Sequence, residues 1–119
     1  MRMSTDRNKE IVKTYAKMWN EHKTQLAEVI LSDRYVDHAH PELVGPAAIA
    51  EVVDKTLAAM PDFHIEISSI VAEGELVAFR ETITMTRAGQ RQKLEGMSFV
   101  RIVDGKMTDR WTYYDRVDA

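Results

Sequence analysis

Cysteine is absent from this 119-residue sequence. Disulfide staples, thiolate nucleophiles and cysteine-ligated metal centres are therefore excluded. Proline and glycine are also scarce, at three and five residues, which argues against a fibrous or linker-rich chain. Positive charge is not in excess: the formal net charge is −3 and the sequence pI about 5.8. With no basic stripe, neither nucleic acid nor an anionic membrane surface is an expected partner. No apolar run approaches the ~20 residues a membrane-spanning helix needs. The opening MRMSTDRNKE is polar and lacks an apolar segment, so no signal peptide is expected and the cytoplasm is the default location. What remains is ordinary for a globular protein, 45% hydrophobic and 29% charged, with a length that favours one domain over residues 1–119.

The hydrophobic period divides the chain into two halves. Ser4 to Asp6 offers helix caps, and Ile11, Val12, Tyr15, Met18, Trp19 and His22 then recur at steps of three and four, the mark of one amphipathic helix of about four turns. A shorter helix is expected from about Thr24. The segment SDRYVDHAHPELVGP, 32–46, reads as a structured loop with an extended piece around Tyr35 and Val36. Gly45-Pro46 opens a third helix, which Pro61 stops. From Phe63 the period changes to two, giving four strands at about 63–72, 75–86, 94–103 and 107–116. Three helices followed by an antiparallel sheet is an α+β pattern.

Asp104-Gly105 is a strong two-residue hairpin signal. A tight turn there pairs Ile102 with Met107, and strict alternation then sets Val100 opposite Asp109, Ser98 opposite Trp111, Gly96 opposite Tyr113 and Leu94 beside Asp115. On this register Trp111, Tyr113 and Asp115 share a face with small residues, leaving room for a ligand cavity. Arg101, Lys106, Thr108, Arg110, Thr112, Tyr114 and Arg116, with Met97 and Phe99, fall on the opposite, more polar face. In the second strand, Val77, Phe79, Ile83 and Met85 form an apolar row interrupted by Glu81, read as a rim residue in preference to a second pocket acid. Arg80 falls on the outer face.

Asp115 among aromatics is a candidate general acid and base, its carboxyl pKa raised by desolvation; the plain alternative is a solvated strand end. His38 is a candidate donor to an oxyanion, against a loop histidine bonded to backbone. Asp37, His38 and His40 also invite a metal reading, but no supporting cluster exists elsewhere in the sequence, so no metal is expected. Tyr15 and Trp19 lie on one helix face that is either plain core or cavity wall.

The order YVDHAHP, GPAAIAEVV, MPDFHIEI, EGELVAFRETITMT and FVRIVDGKMTDRWTYYD resembles the SnoaL-like polyketide cyclase family, within the nuclear-transport-factor-2-like and ketosteroid-isomerase-like superfamily. The resemblance spans nearly the whole chain. It implies a cone-shaped α+β barrel, with three N-terminal helices packed in a strongly curved mixed or antiparallel sheet of about four main strands. It further implies a deep apolar pocket, acid/base catalysis without metal or cofactor on a hydrophobic carbonyl compound such as a polyketide, and a homodimer through the Thr-rich outer sheet face. On that basis Asp115 and His38 are the expected catalytic residues. Tyr15, Trp19, Tyr35, Phe79, Ser98, Trp111 and Tyr113 are expected to bind substrate. One departure stands out: many relatives place an aspartate directly after the tryptophan, and Thr112 stands there in this chain. The fold also hosts isomerases, epoxide hydrolases and non-catalytic binders, so those readings stay open beside the cyclase. An epoxide hydrolase would need an Asp-Arg-Asp cluster on the pocket wall.

Overall fold

The computed structural model describes residues 4–118, and side chains as far as Asp115. Helix α1, Thr5–Asn20, begins where Ser4 Oγ accepts the Arg7 amide at 3.0 Å, with Asp6 in its first turn. Its stripe of Ile11, Val12, Tyr15, Met18 and Trp19 is buried, as the period of the sequence requires. A short helix α2, Leu26–Ile30, leads directly into strand β1, Leu31–Asp37. Helix α3, Pro46–Ala59, starts with Pro46 in its first turn and buries Ile49 and Val53. The residue before it, Gly45, has φ +86°, and a Cβ there would sit 3.0 Å from the Asp33 carbonyl oxygen, so glycine is required on both counts.

Strands β2, His64–Glu73, β3, Leu76–Arg87, β4, Gln90–Val103, and β5, Lys106–Asp118, follow as a meander. The sheet order is β1-β5-β4-β3-β2, with β1 parallel to β5 and the other pairs antiparallel. The sheet is therefore mixed and five-stranded. The helices pack against its curved inner face, the α+β architecture that the sequence predicts. Asn20 fastens α1 to the edge strand: its Nδ2 donates to the Ile65 carbonyl and its Oδ1 accepts the Ile65 amide, both at 2.8 Å.

The Asp104-Gly105 turn is present, both residues at positive φ as a tight hairpin turn demands. Ile102 pairs with Met107 as expected, but the ladder then shifts: Arg101 pairs with Asp109, Val100 with Arg110, Phe99 with Trp111, Ser98 with Thr112 and Gly96 with Tyr114. Thr108 is the extra residue of a β-bulge. Because side chains alternate with period two, one inserted residue exchanges the two faces of everything beyond it. Arg110, Thr112 and Tyr114 therefore point inward, and Trp111, Tyr113 and Asp115 point outward, the reverse of the register that strict alternation predicts. The space above Gly96 is filled across the strands by the Tyr114 ring, which a Cβ at residue 96 would strike.

Candidate active site

Three inner rows of the sheet bring the polar groups together. Val77, Val100, Arg110 and Asp37 lie across the strands in one row; Phe79, Ser98 and Thr112 form the next; Glu81, Gly96 and Tyr114 form the third. Glu81 and Arg110 are consequently neighbours in the interior. Both are almost fully enclosed, with side-chain exposures of 1% and 8%. Two isolated charges in such a place would cost several kcal/mol each. They are tolerated because each finds partners. Arg110 Nη2 donates to Glu81 Oε1 at 2.8 Å, and also approaches Ser98 Oγ at 3.1 Å and the Tyr114 hydroxyl at 3.0 Å. Arg110 Nη1 donates to the Tyr15 hydroxyl at 3.0 Å, while the guanidinium carbon lies 5.1 Å from the Tyr15 ring centre, a cation–π distance. Glu81 Oε1 also accepts from Ser98 Oγ and from the Tyr114 hydroxyl. Glu81 therefore serves as a buried anchor and not as a rim residue.

The field of this cluster fixes protonation states. Burial alone would pull the Arg110 pKa down; Tyr15, Glu81 and Tyr114 overcome it and hold the guanidinium charged. Burial raises the Tyr114 phenol well above its ordinary value against the pull of Arg110, and Glu81 adds to the rise. Tyr35 is fully buried, its pKa pushed up chiefly by that burial and next by Tyr15, and its hydroxyl makes no hydrogen bond among the described residues. Tyr35 and Tyr114 are thus neutral phenols at physiological pH.

Above the cluster lies a cavity of about 300 Å³ between the inner sheet face and helices α1 and α3. That size is at the lower end for small-molecule sites. Its wall is mainly apolar, with Leu43, Ile49, Met60, Phe63, Ile83 and Leu94. The polar exceptions are Tyr15 of α1 with Arg110, Thr112 and Tyr114 of β5, Asp37 and His40 from the end of β1 and the loop after it, Thr56 of α3 and Arg87 at the end of β3. Asp37 is the single carboxylate on the wall among the described residues. It is half-buried, and its Oδ1 accepts the Ala39 amide at 3.0 Å, which turns the chain back over the cavity.

The residues expected from sequence separate into three groups. Tyr15 and Trp19 line the cavity, as expected of a face shared by core and pocket. Tyr35, Phe79 and Ser98 are on the inner side but buried behind the lining. Trp111, Tyr113, Asp115 and His38 are outside it. Asp115 is exposed and pairs with Glu95, Tyr113 is 73% exposed, and neither borders the cavity. The Asp115 carboxyl therefore lacks the dry surroundings assumed for it; the bulge at Thr108 is the reason. His38 stacks on Trp111 with ring centres 4.7 Å apart and planes 1° from parallel, and its Nε2 lies 2.9 Å from Asp109 Oδ1. Burial works against the charge of Asp109, but hydrogen bonds from His38 and Thr108 outweigh it and hold its pKa below the usual carboxylate value. His38 is thus committed to the outer face, while Asp37 and His40, its neighbours in the sequence, border the cavity. Arg110, Tyr114 and Asp37 escape the sequence reading. One signal was available: a glutamate inside an apolar row needs buried partners, and the shifted β5 supplies Arg110 and Tyr114.

The whole architecture recurs among solved structures. TsrD from Streptomyces laurentii aligns with a TM-score of 0.86 at 15% identity, covering 96% of this chain and 92% of that one. A SnoaL-like polyketide cyclase from Agrobacterium tumefaciens aligns at 0.81 and 20% identity, covering 95% and 93%. A protein of ketosteroid isomerase-like fold from Catenulispora acidiphila, solved with trimethylamine, aligns at 0.76 and 22% identity, covering 89% and 85%. No curated protein matches the sequence. The model of the SnoaL-like polyketide cyclases matches residues 9–119, nearly the entire chain. The chain accordingly belongs to the SnoaL-like polyketide cyclase family.

Proposed function

We propose that this protein is a cofactor-independent enzyme that moves a proton on a hydrophobic carbonyl compound, leading to intramolecular aldol ring closure or to migration of a double bond. The observation that carries the reading is the pairing, on one apolar cavity, of a single wall carboxylate with a hydroxyl that a buried arginine activates. Tyr15 accepts a hydrogen bond from Arg110, which leaves its own proton free to be given to a ligand oxygen. Donation from a charged group polarises that O–H and strengthens it as a donor. Asp37 takes the proton from the carbon next to the carbonyl. The C–H electron pair moves toward the carbonyl oxygen, and the resulting enolate is held by Tyr15. In ring closure the enolate carbon forms a bond to a second carbonyl carbon of the same molecule, and the alkoxide recovers the proton from Asp37. In isomerisation the proton returns to a different carbon. The dry wall keeps water from quenching the enolate. The inward hydrophobic side chains support an apolar substrate in preference to a sugar or a nucleotide.

Epoxide opening on the same scaffold draws on Arg110, flanked by Glu81 and by Asp37 across the β1–β5 ladder. Glu81 is enclosed behind the lining and does not reach a ligand, so proton transfer fits the exposed groups better. A test independent of the natural substrate is deuterium incorporation from solvent next to the carbonyl of 2-tetralone. The protein should accelerate it above buffer, and Tyr15→Phe should lose about 100-fold of that acceleration. A wild-type rate equal to buffer rejects the enzyme reading and leaves a non-catalytic binder.

We infer also that a second copy covers the outer sheet face. Val71, Ala78, Phe99 and Trp111 form one cross-strand row there, and Met97 and Tyr113 lie in the next. Val71, Met97, Phe99 and Tyr113 are all exposed, a contiguous apolar surface of the kind that marks an interface.

A further inference from the structure

The cavity ends in a charge, Arg87, that no other described side chain neutralises. Arg87 closes the inner row of β3, two residues beyond Met85 and six beyond Glu81, so strand alternation aims it at the same space as Phe79, Ile83 and Met85. It borders the cavity and is exposed to solvent, which places it at the mouth. The described acid beside the end of β3 is already engaged: Asp62 accepts the Thr86 amide at 2.9 Å and the Thr86 hydroxyl at 2.7 Å, and pairs with Arg91 at 3.4 Å. Among the described residues no carboxylate lies within salt-bridge range of Arg87. Apart from the phenols Tyr15 and Tyr114, the other ionisable groups on the lining are Asp37, His40 and Arg110. His40 stands 3.9 Å from Glu42, and Arg110 is consumed by Glu81. A guanidinium left open over an apolar hollow has one evident use, the recognition of an anion by its planar fork of donors.

We propose that the ligand of this cavity bears a carboxylate, held by Arg87 at the mouth, at the end opposite its reacting carbonyl. The proposal rests on the reading of the cavity as a site for a hydrophobic carbonyl compound, and adds the charge and polarity of that compound. Arg87 and the Tyr15 hydroxyl held by Arg110 border the same cavity, so one ligand can meet both. A neutral ligand would leave Arg87 solvated and gain nothing from it.

The test compares two ligands of one shape, 6-oxo-5,6,7,8-tetrahydronaphthalene-2-carboxylate and its methyl ester, by calorimetry on the full chain at pH 7.5. Wild type should bind the acid about threefold to tenfold more tightly than the ester, the range for one charge-assisted contact at a wet mouth. Salt at 0.5 M should erode that preference. Arg87→Gln should abolish the preference while leaving ester affinity unchanged, and Arg87→Lys should keep part of it. Equal affinity in wild type, or a preference that survives in Arg87→Gln, overturns the carboxylate assignment and leaves the apolar site standing. Binding of neither ligand overturns the hydrophobic-carbonyl reading and this proposal together.

Discussion

Glu81 and Arg110 are the residues on which the interior depends. Each is nearly water-free, so each is stable there only while the other is present. Glu81→Gln or Arg110→Met should therefore cost about 3 to 5 kcal/mol in urea unfolding, because the survivor becomes an unpaired buried charge. Glu81→Leu combined with Arg110→Met should cost clearly less than the sum of the two single changes, since no charge is stranded. A loss below about 1 kcal/mol for both single variants would show the pair to be hydrated. The same residues show how much of the site the sequence disclosed. Tyr15 and Trp19 were legible because helical period alone put them on the face that meets the sheet. Glu81 was visible as an anomaly in its row, yet its meaning depended on a partner 29 residues away. Asp37 was hidden in a polar segment, where no period reports that Asp37 and His40 border the cavity while His38 does not.

At the scale of elements, the helices and the four long strands follow from period and from Gly and Pro punctuation, within a few residues at each end. Strand β1 was visible only as an extended piece at Tyr35 and Val36, because it pairs in parallel with β5, at a distance that local pattern does not encode. The bulge in β5 escaped because Thr108 carries no glycine or proline to announce it. Strict alternation would have buried Asp109 against Val100, an unpaired acid in the core. The shift instead leaves Asp109 partly exposed with His38 and Thr108, and supplies Glu81 with its cation. The bulge also decides the chemistry of the outer face, which becomes apolar around Phe99 and Trp111 where a polar, Thr-rich surface was expected. Sedimentation of the wild type at micromolar concentration should give a dimer, and Phe99→Glu, which places a charge at the centre of that surface, should give a monomer of unchanged fold. A wild-type monomer removes the interface from the account.

For the whole molecule, the curved sheet and the helices enclose a mainly apolar hollow with a polar cluster around Arg110 and a charge, Arg87, at its mouth. The amphipathic patterns made such a hollow predictable, whereas its polar end was set by one extra residue in one strand. In the proposed mechanism that inversion takes the acid/base role away from the last strand's exposed carboxylate, and Asp37 at the end of β1 holds it instead. The most direct measurement compares Asp37→Asn with Asp115→Asn in the solvent-deuterium exchange of 2-tetralone, with circular dichroism as the control for folding. The account predicts that Asp37→Asn falls to the buffer rate, a loss of about 100-fold or more, while Asp115→Asn exchanges like wild type. Exchange that survives in Asp37→Asn and disappears in Asp115→Asn would contradict it.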